Sequence, residues 1–296
     1  MTIQLSIHNE TDRLEAVIVG LGSDIGTAFY QNNPKIREHV QQGTLPGEAS
    51  LISEIENFVG VLQRENVTVY RPHNLPETMQ IFTRDIAFVI GDRLVKANMK
   101  KQNRRAEYAA INHLIEQLDR KQVLCPPDEA FIEGGDVILC DKTIFVGLSD
   151  RTNLAGADFL REAFPDKEII PLVTTVTNEP HTNILHLDCA FQPIGSGQAI
   201  FYPQGFSRQP DAIYDLFGER NLIRVSGQEM YEMFPNILSL SPDTLISERN
   251  FTRLNTELRR RGLTVIEVPY ANVAKLGGLL RCSTLPLRRE PGKKTS

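Results

Sequence analysis

One unit recurs along this chain, and it constrains the fold more than any other feature. Asp85-Ile-Ala-Phe-Val-Ile-Gly-Asp-Arg-Leu-Val-Lys-Ala97 reads as a strand, a tight Gly-Asp turn and a returning strand. The pattern starts again at Asp136, Asp188 and Asn236, at intervals of 51, 52 and 48 residues. Each copy opens on Asp or Asn, turns on Gly, Asp or Pro, and returns as an apolar run. Helical patterns between copies feed a further strand. Ser50 to Glu65 leads into Val67-Thr-Val-Tyr70, and Asn250 to Arg261, stopped by Gly262, leads into Leu263 to Val268. Leu14 to Gly20 supplies one more strand. A period near 50 residues predicts supersecondary units that are stacked or set around an axis. Neither Gly43 to Ser50 nor Glu290 to Ser296 reads as an interdomain linker. Residues 1–289 are therefore expected to form a single α/β domain, with 290–296 a disordered tail.

Composition narrows the class of partner. A formal net charge of −5 leaves no basic footprint for nucleic acid, and the clusters Arg259-Arg260-Arg261 and Arg288-Arg289 are short and offset by acids. No window approaches the roughly 18 consecutive apolar residues that span a bilayer. The opening Met1 to Glu15 is polar and acidic, unlike a secretory signal. Four cysteines (Cys125, Cys140, Cys189, Cys282) have no paired metal spacing and read as reduced thiols, so the expected location is cytoplasmic.

The starts of the repeated units carry reactive or acidic residues: Arg84-Asp85, Glu133-Gly-Gly-Asp136, His186-Leu-Asp188 and, near the end, Gly277-Gly-Leu-Leu-Arg281-Cys282. A thiol is a strong nucleophile once ionised, and a neighbouring cation helps that ionisation. Glycines before Cys282 let the backbone approach a ligand closely. His186 and Asp188, read as alternate residues of a strand, share one face, and an imidazole there can relay protons. His181 and His186 have the wrong spacing for metal ligands on one helical face. Each feature also has a bland explanation as a buried cysteine, a core histidine, a turn or an internal ion pair. Together they are what a planar guanidinium needs, because paired carboxylates hold such a cation best.

With those residues in view, the chain resembles the guanidino-group-modifying superfamily of arginine deiminases, dimethylargininases and glycine amidinotransferases. His8 to Gly20, Thr83 to Asp92 and His186 to Gly195 look most like the amidinotransferase branch. Glu133-Gly-Gly-Asp136 and Leu280-Arg-Cys-Ser-Thr-Leu-Pro-Leu287 look closer to the deiminase branch. The resemblance implies a pentein fold, a five-bladed α/β propeller with its site on the central axis. It implies Cys282 as nucleophile, His186 as general acid/base and Glu133 as the carboxylate that orients this histidine. Asp85 and Asp188 match the pair that grips the guanidinium. Asn183 and Arg281 fall where relatives contact the substrate's carboxylate end, and Arg104 (or its neighbour Arg105) falls in another segment of substrate-binding residues.

The chemistry implied is attack of the thiolate on the guanidinium carbon of arginine or an analogue, through a covalent thiouronium, with neither metal nor organic cofactor. Water as second nucleophile gives arginine-deiminase-like hydrolysis to citrulline and ammonia, the favoured expectation. An amine acceptor gives amidino transfer, the alternative. The chain departs from both branches, lacking the deiminases' helical insertion and falling short of the amidinotransferases' length. Dimethylargininase or dihydrolase activity, a catalytically silent pentein that binds a partner, and the choice between monomer and homo-oligomer stay open.

Overall fold

The computed structural model of the chain describes residues 3–290. Strand β1 (Arg13–Val19) is followed by helices α1 (Pro34–Gln41) and α2 (Glu48–Arg64) and then by β2 (Thr68–Tyr70), parallel to β1. Helix α2 buries Leu51, Ile55, Phe58 and Leu62, an apolar stripe one turn apart, and turns Glu48, Glu56 and Arg64 outward, while Glu54 is buried and accepts from the Asn272 and Val273 N–H groups. Its observed start at Glu48 lies two residues before the expected Ser50.

Four hairpins then follow as the repeat predicts. They are β3 (Ala87–Ile90) with β4 (Arg93–Lys96), and β6 (Val137–Cys140) with β7 (Thr143–Leu148). Next come β9 (Phe191–Ile194) with β10 (Gln198–Phe201), and β12 (Leu238–Ser241) with β13 (Thr244–Glu248). After each hairpin a crossover brings in a third strand parallel to the second: β5 (Val123–Leu124), β8 (Glu168–Val173), β11 (Leu222–Arg224) and β14 (Thr264–Val268). The last strand, β15 (Thr284–Glu290), returns antiparallel to β1 and completes its sheet. The result is five three-stranded sheets in the ββαβ pattern of the expected five-bladed α/β propeller. Closing the first blade with strands from both ends of the sequence joins the termini and covers the edge that β1 would otherwise expose. Between blades, Phe145 meets Phe191 edge to face with ring centroids 5.5 Å apart.

The residues expected to carry chemistry sit where a blade begins, but not on strands. Short helical turns at Thr83–Ile86, Gly134–Asp136 and Leu187–Cys189 lead into β3, β6 and β9. The expected strand through His186 and Asp188 is thus corrected: His186 is extended, and the backbone then turns. Asp136 fixes that turn by accepting from the Leu187 N–H at 2.9 Å. Gly135 lets it pack close, because a Cβ there would lie 2.6 Å from His186 Nδ1. The tail residues 291–296 lie outside the described residues.

Asn236, which opens the fourth repeat, ties that blade to the loop preceding β15. Its side-chain oxygen accepts from the backbone N–H groups of Leu279 and Cys282, both at 3.0 Å, and its carbonyl accepts from Arg281 N–H at 3.1 Å. Asn236→Ala strands two buried donors, each costing about 1–3 kcal/mol. Denaturant unfolding should show a lower midpoint by that order; an unchanged midpoint would mean that the loop holds its shape without Asn236.

Candidate active site

Cys282, His186, Asp85 and Arg104 line one cavity, together with Arg151 and residues from the segment leading into α1. The Cys282 thiol, 3% exposed, reaches Asp188 Oδ2 at 3.4 Å. Burial pushes this thiol well above its ordinary pKa, and the charges of Asp188 and Asp85 push it further. Nearby Arg281 acts the other way but does not overcome them. The resting group is therefore a thiol.

His186 Nε2 donates to Glu133 Oε2 at 2.9 Å, and its Nδ1 stands 3.6 Å from Asp85 Oδ1. Burial alone would discharge this ring. Asp85, Asp136 and Glu133 outweigh burial and raise its pKa to about 9, so it is an imidazolium at neutral pH. Glu133 moves the opposite way, to about 2: burial opposes its charge, while Arg151, His186 and Arg104 secure it.

Asp85 gives Oδ2 to Arg104 Nη1 at 2.9 Å, and its Oδ1 has no hydrogen-bond partner. Arg104 is itself held by Glu107, which Nε and Nη2 each reach at 2.7 Å. Of the two adjacent arginines the first lies on the cavity wall. Arg105 points elsewhere, donating from Nε to the Met99 carbonyl.

Two expected contacts for a substrate carboxylate are revised. Arg281 is fully buried, with Nη1 on Asp188 at 2.8 Å, and Nη2 on Glu10 and on the Val137 carbonyl at 2.9 and 2.8 Å. Its charge is spent beneath the site and does not line the cavity. Asn183 lines neighbouring cavities, and its side-chain oxygen accepts from the Thr177 N–H. Arg151, which sequence reasoning missed, is 1% exposed and on the cavity wall; its Nε and Nη1 make no hydrogen bond, and Nη1 lies 3.7 Å from Glu133 Oε1. The signal lay in the second hairpin. Its antiparallel register pairs Val137 with Val146, so residues just past β7 return alongside Glu133.

Asp85, Glu133 and His186 also bring three potential metal-ligand atoms within 4.8 Å of one another. Arg104 and Arg151 stand beside those carboxylates, and their fixed positive charges oppose a divalent cation there. No helix among the described residues is long and apolar enough to cross a membrane.

Comparison with known proteins identifies the family and the fold. A family model described as N,N dimethylarginine dimethylhydrolase, eukaryotic, matches residues 28–289. The chain is 36% identical over 217 residues to the uncharacterized protein YkgA of Bacillus subtilis, covering 73% of this chain and 71% of that protein. It is 22% identical to mitochondrial glycine amidinotransferase of Danio rerio, covering 95% and 82%. Identity to arginine deiminase of Listeria monocytogenes is 27%, covering 71% of this chain and 61% of that enzyme. Among solved structures, an amidinotransferase of the saxitoxin biosynthetic pathway from Microseira wollei superimposes with a TM-score of 0.81 at 20% identity, covering 99% of both chains, and so shares the fold. The chain belongs to the N,N-dimethylarginine dimethylhydrolase family of the guanidino-modifying pentein superfamily, and is a guanidino-modifying hydrolase or amidinotransferase.

Proposed function

We propose that this protein hydrolyses the guanidinium group of arginine or an N-methylated arginine, releasing citrulline and ammonia or the corresponding methylamine. One observation carries the reading. A thiol, an imidazolium and a carboxylate oxygen without a hydrogen bond meet in a single cavity, with Asp188 against the sulfur. A guanidinium placed there meets Asp85 Oδ1 on one edge and Asp188 on another, and both favour its charged, planar form.

The same cation solves the problem of the thiol. Its positive charge, added beside Sγ, offsets the effect of Asp85 and Asp188 and favours release of the thiol proton to solvent, leaving the thiolate. The thiolate then attacks the guanidinium carbon. His186, already protonated, gives its proton to the departing nitrogen as the C–N bond breaks. This leaves a covalent thiouronium and a neutral imidazole, which takes a proton from water as water attacks the same carbon. Collapse breaks the C–S bond, returns the thiolate and forms the ureido group. Glu133 keeps the ring oriented throughout. Arg151, with donors on the wall that make no hydrogen bond, suits the substrate's carboxylate.

The cavity measures about 20 Å³, room for one or two waters. Phe29, Asn32, Asn33 and Ile36 form part of its wall, and a substrate larger than this volume enters only if the wall gives way. Once closed, the space favours water over a second organic nucleophile.

Amidino transfer is the second reading. It is favoured by the two-way coverage of the amidinotransferase structure, whereas the arginine deiminase extends well beyond the chain. Incubation with arginine and with N,N-dimethylarginine, with and without glycine, separates the two. Citrulline as the main product from either substrate is expected. Ornithine with a new guanidino compound would overturn hydrolysis. Cys282→Ala should lose at least about 10³-fold in kcat, with the fold intact by circular dichroism; activity within a few-fold of the parent would remove covalent catalysis.

The charge on His186 gives a pH prediction. Rate should fall as pH rises through about 9, where the imidazolium is lost. Asp85 is the largest charge supporting that imidazolium, so Asp85→Asn should move the falling limb to lower pH. A limb left in place would mean that another group titrates there.

A further inference from the structure

Beside the catalytic cavity lies a second one that the chemistry above does not use. Asn33, Leu185 and Gly277 form the wall between them, each lining both. The second cavity contains the side chain of Lys35, which is only 7% exposed. Among the described residues this ammonium makes no ion pair. It donates to the Tyr231 carbonyl and sits 4.6 Å above the Tyr231 ring. Those contacts leave spare donors on a group with three N–H bonds. The other polar groups around it are the amides of Asn33 and Asn183 and the thiol of Cys189. Both amide oxygens are taken, by Lys35 N–H and Thr177 N–H, so their NH₂ groups remain. Met230, Met233, Leu185 and Pro180 supply apolar walls.

A buried ammonium with no carboxylate at ion-pair distance, Glu38 and Glu232 acting on it only from farther away, and with amide donors beside it, is a receptor for an anion. We infer that this cavity binds the carboxylate of a small molecule held beside the guanidinium substrate. Its volume of about 20 Å³ holds one or two waters, so a carboxylate enters by displacing them and widening the walls. The inference goes beyond the proposed hydrolysis and does not depend on Cys282.

Burial lowers the Lys35 pKa to about 7 in the absence of an anion. The charged or titratable groups facing it are Cys189, Tyr231 and Glu232, with Glu38 and His39 on its own helix; His181 stacks on the far side of Tyr231. A bound carboxylate would add the missing negative charge and raise that pKa, so binding takes up a proton near pH 7 to 8 and weakens as pH rises.

The test is calorimetric titration with acetate, with glycine and with methylamine as a control lacking a carboxylate. It is run on the wild-type protein, and on Cys282→Ala saturated with arginine so that Arg151 is already engaged. Acetate and glycine should bind in both and methylamine in neither. Affinity should drop at least about tenfold between pH 6.5 and 8.5, with proton uptake shown by buffers of different ionisation enthalpy. Lys35→Met, its fold checked by near-ultraviolet dichroism, should weaken both carboxylates at least about tenfold. Equal affinity in Lys35→Met, binding indifferent to pH, or no wild-type binding would each overturn the site. If citrulline fails to form while carboxylates bind as described, the hydrolytic reading falls and this one stands.

Discussion

Arg281 and Asp188 form the contact on which the site depends. Nη1 lies 2.8 Å from Asp188 Oδ2 while the same guanidinium holds Glu10, and all three groups are buried. Burying a carboxylate so completely is costly unless a cation stands next to it. Arg281 supplies that cation from beneath, leaving the upper side of Asp188 free to meet Cys282. Arg104 does the same for Asp85 from the side, and leaves Oδ1 open. Removing one member of such a buried pair typically costs about 3–5 kcal/mol, so these arginines hold the fold as well as the charge.

The arrangement sets the resting protonation states in a consistent order. Cys282 is held as a thiol by burial and by its carboxylate neighbours, while His186 is held charged by three carboxylates. The thiol does not suit attack until another cation arrives, whereas the imidazolium already holds the proton that the leaving nitrogen needs. A guanidinium is such a cation, and a neutral isostere is not, so reactivity and recognition rest on one charge. This links the substrate preference to the electrostatics and not to shape alone.

Much of the fold was legible because its repeat is a local event. A hairpin of alternating or continuous apolar residues around a tight turn needs only a dozen neighbouring residues, and all four copies form where the pattern placed them. The fifth blade was hidden because its hairpin partners, β1 and β15, stand at opposite ends of the chain, and no local pattern reports that pairing. Asp85, Glu133 and His186 were legible for the same local reason, being at or beside the start of a blade. Direction was not. His186 and Asp188 seemed to share a strand face until the turn at Leu187–Cys189 intervened. Arg281 and Arg151 exchanged their expected importance, because sequence adjacency to Cys282 does not say which way a long side chain runs. Glu10, 271 residues from Arg281, turned it inward, and the register of the second hairpin brought Arg151 to the cavity.

The central claim is that a carbon–sulfur bond forms at Cys282. Acid quench of the enzyme during turnover of arginine, followed by mass analysis of the peptide containing Cys282, tests it directly. The account predicts an adduct on that cysteine equal to arginine less ammonia, absent when arginine is withheld. An adduct of the bare amidino group would instead mark ornithine as the first product, and an unmodified Cys282 at every quench time, with product still forming, would contradict covalent catalysis.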